Sequence, residues 1–381
     1  MAMRVRRRIG HVWPVMPGSE RPPRNWQGWP QGKKFALVLT HDVESSTGLA
    51  NCRLLSRLEM ELGFRSSFNF VPEGDYQVSA DLRDELAAGG FEVGIHDLKH
   101  DGHLFASHRV FKQRAVQINR YAREWGAAGF RSAFMMSNLD WLHELDVEYD
   151  ASTFDTDPFE PQPDGGHTIF PFWVPRPSNH AANGQEQASR CGYVELPYTL
   201  PQDSTLFLLL REKTPEIWMR KLDWIVEHGG MVLLDSHPDY MCFRGSSAAT
   251  QYSVLLYREF LSYVKARYAG QYWHVLPREM AQYIRTNSRE RDSVADVRTR
   301  PLLRKRAAVL LFSHYPADPR PRRAAEALAA EGVNVDVICL RDGDDDQAHQ
   351  CYGRIDVTRV GLTRKRGRKL GYVGQYSAFI L

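Results

Sequence analysis

Long apolar runs are missing from this 381-residue chain. Nothing approaches the roughly 20 consecutive apolar residues that cross a bilayer, so no integral membrane segment is expected. Residues Met1 to Arg8 carry the positive charge that opens a signal peptide, but Trp13-Pro14 and Pro17-Gly18 interrupt any apolar stretch behind it. The reading is a soluble, cytoplasmic protein. Cysteine is scarce, odd in number (Cys52, Cys191, Cys242, Cys339, Cys351) and without a CxxC pair, which removes a zinc knuckle or a disulfide framework. A net charge of +3 is too small to make nucleic acid the main partner. No glycine-rich phosphate loop follows an apolar run, which weighs against a nucleotide-binding sheet.

What is present is organised around Phe35-Ala-Leu-Val-Leu39, which changes abruptly into Thr40-His41-Asp42-Val43-Glu44. Five apolar residues in a row read as a strand buried on both faces, as in a parallel sheet. Phe91–Ile95 runs likewise into His96 and His100, and Gly230–Leu234 into Asp235 and His237. Buried strands that deliver ionisable side chains at their carboxyl ends are how α/β enzymes build sites. Three such endings imply one shared site.

Strand and helix patterns alternate about seven times between residues 34 and 287, a cadence of parallel strands joined by crossover helices. Site residues drawn from several strands favour a distorted (β/α) barrel over a doubly wound sheet. Residues 1–33, rich in Pro, Gly, Trp and Arg, read as an irregular arm around the barrel exterior. Helices are expected at Arg53–Leu62, Ala80–Ala88, Val110–Trp125, Asn138–Leu145 and Pro215–His228, and a long loop over residues 156–190. The aromatics Phe170, Phe172, Trp173 and Tyr198 flank that loop as sugar-stacking or packing residues. Residues 288–306 form a charged linker with a basic cluster. Residues 307–381 open a partial Rossmann-like βαβ unit, followed by an acidic turn at Asp342–Asp346 and a basic stretch at Arg364–Lys369.

The spacing of His96 and His100, i and i+4, brings two imidazoles together on one helical turn or a tight loop, an arrangement suited to a divalent transition metal. Asp42 and Glu44 offer carboxylates. Two histidines and one carboxylate make a three-ligand site with an open position for water. His103 and His108 lack strand-end placement and read as surface residues.

Thr40-His41-Asp42, then His96-x-x-x-His100, then Arg131-Ser-Ala-Phe, then a late strand ending in His237, together resemble the polysaccharide deacetylases, the NodB-like carbohydrate esterases, over about residues 34–287. The resemblance implies a distorted seven-stranded barrel, a metal that is commonly zinc, and removal of N- or O-acetyl groups from a carbohydrate substrate. It implies metal-binding roles for His96 and His100, a catalytic base at Asp42, an arginine positioning that base at Arg131, and a proton donor to the leaving group at His237. The family's first motif ends in two adjacent aspartates, whereas Val43 follows Asp42 here. Either Glu44 reaches the metal through a bulged strand end, or Asp42 itself ligates and the base lies elsewhere. Asp150, Asp155, Asp157 and Asp235 are the candidate partners that orient His237. A metal amidase on a small non-sugar amide and a non-catalytic carbohydrate-binding barrel are the alternatives. The unit after residue 307 resembles the start of a two-Rossmann-domain glycosyltransferase, carried by Val309-Leu-Leu-Phe-Ser-His-Tyr-Pro316 and the helix and strand patterns behind it.

Overall fold

The central strand β1, Phe35–Val43, is buried along its whole length, so its alternate side chains face core on both sides of the sheet. The computed structural model describes residues 13–23, 26–162, 165–176, 191–244, 249–289, 306–311, 313–317, 319–330, 333–341 and 347–361. The chain divides into two compact units, Met1–Asp292 and Ser293–Leu381.

In the first unit β1 is followed by α1 (Ser46–Leu62), β2 (Ser67–Phe70), α2 (Ala80–Ala88), β3 (Glu92–His96), α3 (His108–Trp125), β4 (Gly129–Arg131) and β5 (Tyr149–Asp150). Then come β6 (Phe172–Pro175), β7 (Gly192–Glu195), α4 (Glu216–His228), β8 (Met231–Ser236), the short pair β9 (Met241–Cys242) and β10 (Tyr252–Ser253), α5 (Val254–Arg267), β11 (Tyr272–His274) and α6 (Pro277–Arg289). Seven parallel strands run β8-β1-β2-β3-β4-β5-β7, with β11 added along the first half of β1 and β6 antiparallel on β7. The helices start where the sequence offers a hydroxyl cap: Ser45, Ser79 and Ser107 accept backbone N–H groups of α1, α2 and α3. Between β7 and β8 the ring is closed by a segment rather than a strand. Thr199 N donates to Leu233 O (3.0 Å), and its hydroxyl accepts from Leu233 N (3.0 Å) and donates to Met231 O (2.9 Å). This is the curled parallel barrel anticipated from the strand cadence.

Several local expectations change. β4 ends at Arg131, and the 3-10 turn that follows places Phe134 in the left-handed region at φ 56°. Asn138–Leu145 holds only a 3-10 turn, Trp141–Glu144, too short for the helix its pattern suggested. The long loop contains β6. The arm is anchored in the core: Trp13 and Trp29 are buried, Trp29 Nε1 donates to Gly229 O at 2.8 Å, and Lys221 Nζ reaches Pro14 O at 2.8 Å. Phe170 and Tyr198 are buried packing residues, as is Trp218.

The second unit has β12 (Arg306–Leu310), α7 (Pro319–Ala330), β13 (Asn334–Leu340), β14 (His349–Tyr352) and β15 (Ile355–Val360), ordered β12-β13-β15-β14. The first three of these neighbours are parallel, and β14 is antiparallel to β15 across a turn at Gly353 (φ 63°). Ala325, Val335, Val337, Cys339, Ile355 and Val357 form its core. Asp342–Asp346, Arg364–Lys369 and linker residues 290–305 lie outside the described residues.

Candidate active site

Two carboxylates of the first motif meet at the carboxyl end of β1, Asp42 on the strand and Glu44 just beyond it. Asp42 Oδ2 lies 3.7 Å from His96 Nδ1, and Glu44 Oε1 lies 3.8 Å from His96 Nε2, so both carboxylates approach the same imidazole. Val43, between them, is buried in the apolar core. Glu44 stands one residue beyond the second aspartate of the resembled motif, and its side chain is one methylene longer.

His100 arrives on a loop, not a helical turn. Asp97 (φ 54°) and His100 (φ 53°) both take left-handed backbone, sparsely populated for non-glycine residues and found where surrounding structure enforces it, as at functional sites. The loop brings His100 Nε2 to 2.9 Å from Glu44 Oε1 and the two imidazole centroids to 4.9 Å. Glu44, His96 and His100 thus present three ligand atoms within 4.8 Å of one another. The Nε2 atoms of His96 and His100 are buried and make no hydrogen bond of acceptable geometry. Two buried imidazole nitrogens converging on one carboxylate, that of His96 at 3.8 Å and without a hydrogen bond, fit a divalent metal. Charge agrees with this. Burial opposes a proton on His96, yet Asp42 and Glu44 outweigh it and raise its pKa to about 9, so the spot favours positive charge. Burial also pushes Glu44 up, but His100 and His96 hold it well below the usual carboxylate range.

Asp42 is held from the other side. Asn69 Nδ2 donates to Asp42 Oδ1 at 2.9 Å, and the Arg131 guanidinium lies 3.7 Å from Oδ2. Burial raises the Asp42 pKa, but His96, Arg131 and His237 lower it further, so it stays ionised. Arg131, fully buried at the end of β4, forms its close ion pair with Asp235. Asp235 is buried beside it, and burial pushes its carboxyl up to about 7. Asp42, Asp235 and His237 also lie within 4.8 Å of one another, but the guanidinium already supplies their positive charge.

His237 is oriented by Asp203, which sequence reasoning did not include. His237 Nδ1 lies 2.6 Å from Asp203 Oδ1 and its backbone N–H donates to Oδ2 at 2.8 Å, while Tyr252 OH donates to Oδ2 at 2.9 Å. The four candidates are engaged elsewhere: Asp150 with Ser152, Asp155 with Lys221, Asp157 with Tyr198 and Asp235 with Arg131. Asp203 lies in the segment after the Thr199 closure, capping a short π-helical turn, Ser204–Leu209. With Nδ1 committed to Asp203, Nε2 faces the site, 3.7 Å from Glu44 Oε1. His103 and His108 are solvent-exposed, as expected. At the rim, Phe134 is exposed with its ring 5.0 Å from His100.

Fold and site together define a (β/α)-barrel protein whose ionisable groups gather at the carboxyl ends of its strands. No protein-family model and no curated protein matches the sequence. Among solved structures, the chain is similar to a Mycobacterium smegmatis protein assigned to the polysaccharide deacetylases, with 17% identity, TM-score 0.51, and 68% of this chain and 93% of that chain covered. The chitin deacetylase of Colletotrichum lindemuthianum (14% identity, TM-score 0.39, 66% and 88% covered) and a 4-alpha-glucanotransferase of Thermococcus litoralis (13%, 0.43, 66% and 40%) are more distant. The fold is the NodB-like deacetylase barrel. Nothing among these similarities supports the glycosyltransferase likeness expected of residues 307–381. No helix among the described residues is long and apolar enough to cross a membrane.

Proposed function

We propose that the barrel is a metal-dependent deacetylase that hydrolyses N- or O-acetyl groups on a polysaccharide or amino-sugar oligosaccharide. The observation that carries this reading is the convergence of the buried Nε2 atoms of His96 and His100 on Glu44, beside Asp42 and an Asp203-bound His237. Glu44, His96 and His100 would hold the metal, which when bound acidifies water and polarises an acetyl carbonyl. Asp42, kept charged by His96, Arg131 and His237, accepts the proton of the attacking water. Arg131 shares its charge between Asp42 and Asp235, fixing Asp42 at the strand end. His237, with Nδ1–H held by Asp203, delivers a proton from Nε2 to the departing nitrogen or oxygen. Zinc is the metal proposed, since imidazole and carboxylate donors in a three-residue set suit it.

The test is metal analysis of wild type and His96→Ala, together with acetate release from an acetylated chitooligosaccharide. Stoichiometric metal, lost in the variant, with acetate release is the expected result. Metal without acetate release would move the reading to another amide or ester. A metal-free wild type would leave a non-catalytic barrel.

A further inference from the structure

One turn, His237-Pro238-Asp239-Tyr240, touches Glu44 at both backbone and side chain. Tyr240 OH donates to Glu44 Oε2 at 2.8 Å, and its ring lies 5.1 Å from that of His237. Asp239 Oδ2 accepts the Glu44 backbone N–H at 3.1 Å, and Asp239 Oδ1 accepts from the Ser45 hydroxyl. The turn is itself pinned from α1. Asn51 Nδ2 donates to Pro238 O at 2.9 Å, and Gly48 lets Asp239 approach so closely that an added Cβ would stand 2.2 Å from its carboxylate oxygen.

Glu44 needs such a holder. A glutamate has one more rotatable bond than the aspartate usual in the resembled motif, and ordering it costs side-chain entropy. A carboxylate also has two oxygens that can exchange places. The phenol removes that freedom, because tying Oε2 to Tyr240 leaves Oε1 as the oxygen 2.9 Å from His100 and 3.8 Å from His96. Partners of this kind orient ligating carboxylates in metal sites generally.

We infer that Tyr240 is the positioning residue of the metal site: its hydroxyl fixes Glu44 so that Oε1 faces the two histidines. The inference rests on the metal-site reading proposed above. Tyr240→Phe removes the hydroxyl and keeps the ring against His237.

The experiment measures zinc affinity by competition with a chromogenic chelator, for wild type, Tyr240→Phe, Glu44→Gln and the double variant, with the melting temperature of each metal-free protein alongside. Tyr240→Phe should weaken zinc binding about 10–100-fold, the usual cost of losing such a partner, with the apo melting temperature unchanged. In the Glu44→Gln background the same substitution should add almost nothing, because Tyr240 acts through the carboxylate. Equal affinity of Tyr240→Phe and wild type overturns the inference and leaves the metal site standing, as does a loss that is fully additive with Glu44→Gln. A wild type that binds no zinc overturns the metal-site reading and the inference with it.

Discussion

Asp203 grips His237 twice, taking the imidazole Nδ1–H at 2.6 Å on one carboxylate oxygen and the backbone N–H at 2.8 Å on the other. The double contact fixes both ring orientation and tautomer. Burial opposes charge on His237, but Asp203 overcomes it and raises the imidazole pKa well above its ordinary value. Asp203→Asn keeps the shape and removes the charge, so kcat should fall by roughly 10²–10⁴-fold while bound metal is retained. Steady-state kinetics with metal analysis checks this; unchanged kcat would remove His237 from the proton-donor role.

Glu44 is the carboxylate proposed to complete the metal site with His96 and His100. Glu44→Asp withdraws the carboxylate by one methylene from His96 and His100. Zinc affinity should fall at least ~10-fold, no less than the loss of an outer partner. Chelator competition reads it directly, and full affinity in the variant would mean that another group completes the set.

Gly94 sits in β3 where a Cβ would lie 2.1 Å from Asn69 Oδ1. Asn69 in turn holds Asp42. Gly94→Ala should therefore displace Asn69, destabilise the barrel by about 1–3 kcal/mol and lower activity beyond what that loss explains. Denaturant unfolding and kcat at a temperature where both proteins are fully folded separate the two effects.

Glu92 is buried against Tyr149 and Arg278, and burial pushes its carboxyl up to about 7 despite hydrogen bonds from the Arg278 backbone N–H and the Tyr149 hydroxyl at 2.9 Å each. Glu148 adds to the rise. The folded protein thus holds this proton more tightly than the unfolded chain. Stability from Glu92 is full below its ordinary pKa of 4.5 and is lost as pH rises through about 7, by roughly 3 kcal/mol at most. Glu92→Gln should be more stable than wild type at pH 8 and show little advantage at pH 4. Paired urea titrations at the two values decide it.

The parts of the site legible in the sequence are those written in strand endings. Phe35–Leu39 declares a buried strand, and the ionisable residues that follow must then emerge at its carboxyl end. The same holds for His96, Arg131 and His237. Asp203 carried no such signal. It lies between Leu200-Pro201 and an irregular turn, and it joins the site because Thr199 closes the barrel, a long-range event without periodicity. Tyr240 was hidden for a similar reason, since one hydroxyl in a short turn matters only once β1 and β8 are adjacent. In the second unit, β14 and β15 escaped because Gln347–Val360 alternates weakly and its partner β13 lies before it.

The position of β1 also sets a schedule. Its hydroxyl-bearing Thr40 bonds to Leu234, 194 residues later, and Leu37 to His274, 237 residues later. At about 5–20 residues per second of synthesis, β1 waits roughly 10–40 s on the ribosome before β8 exists to cover its edge. β1 gains β2 early but waits far longer for β8 and β11, and an unpaired apolar edge invites association between chains. The arrangement that gathers the site around a single strand makes the yield of folded protein sensitive to crowding by other nascent chains, well before any chemistry begins.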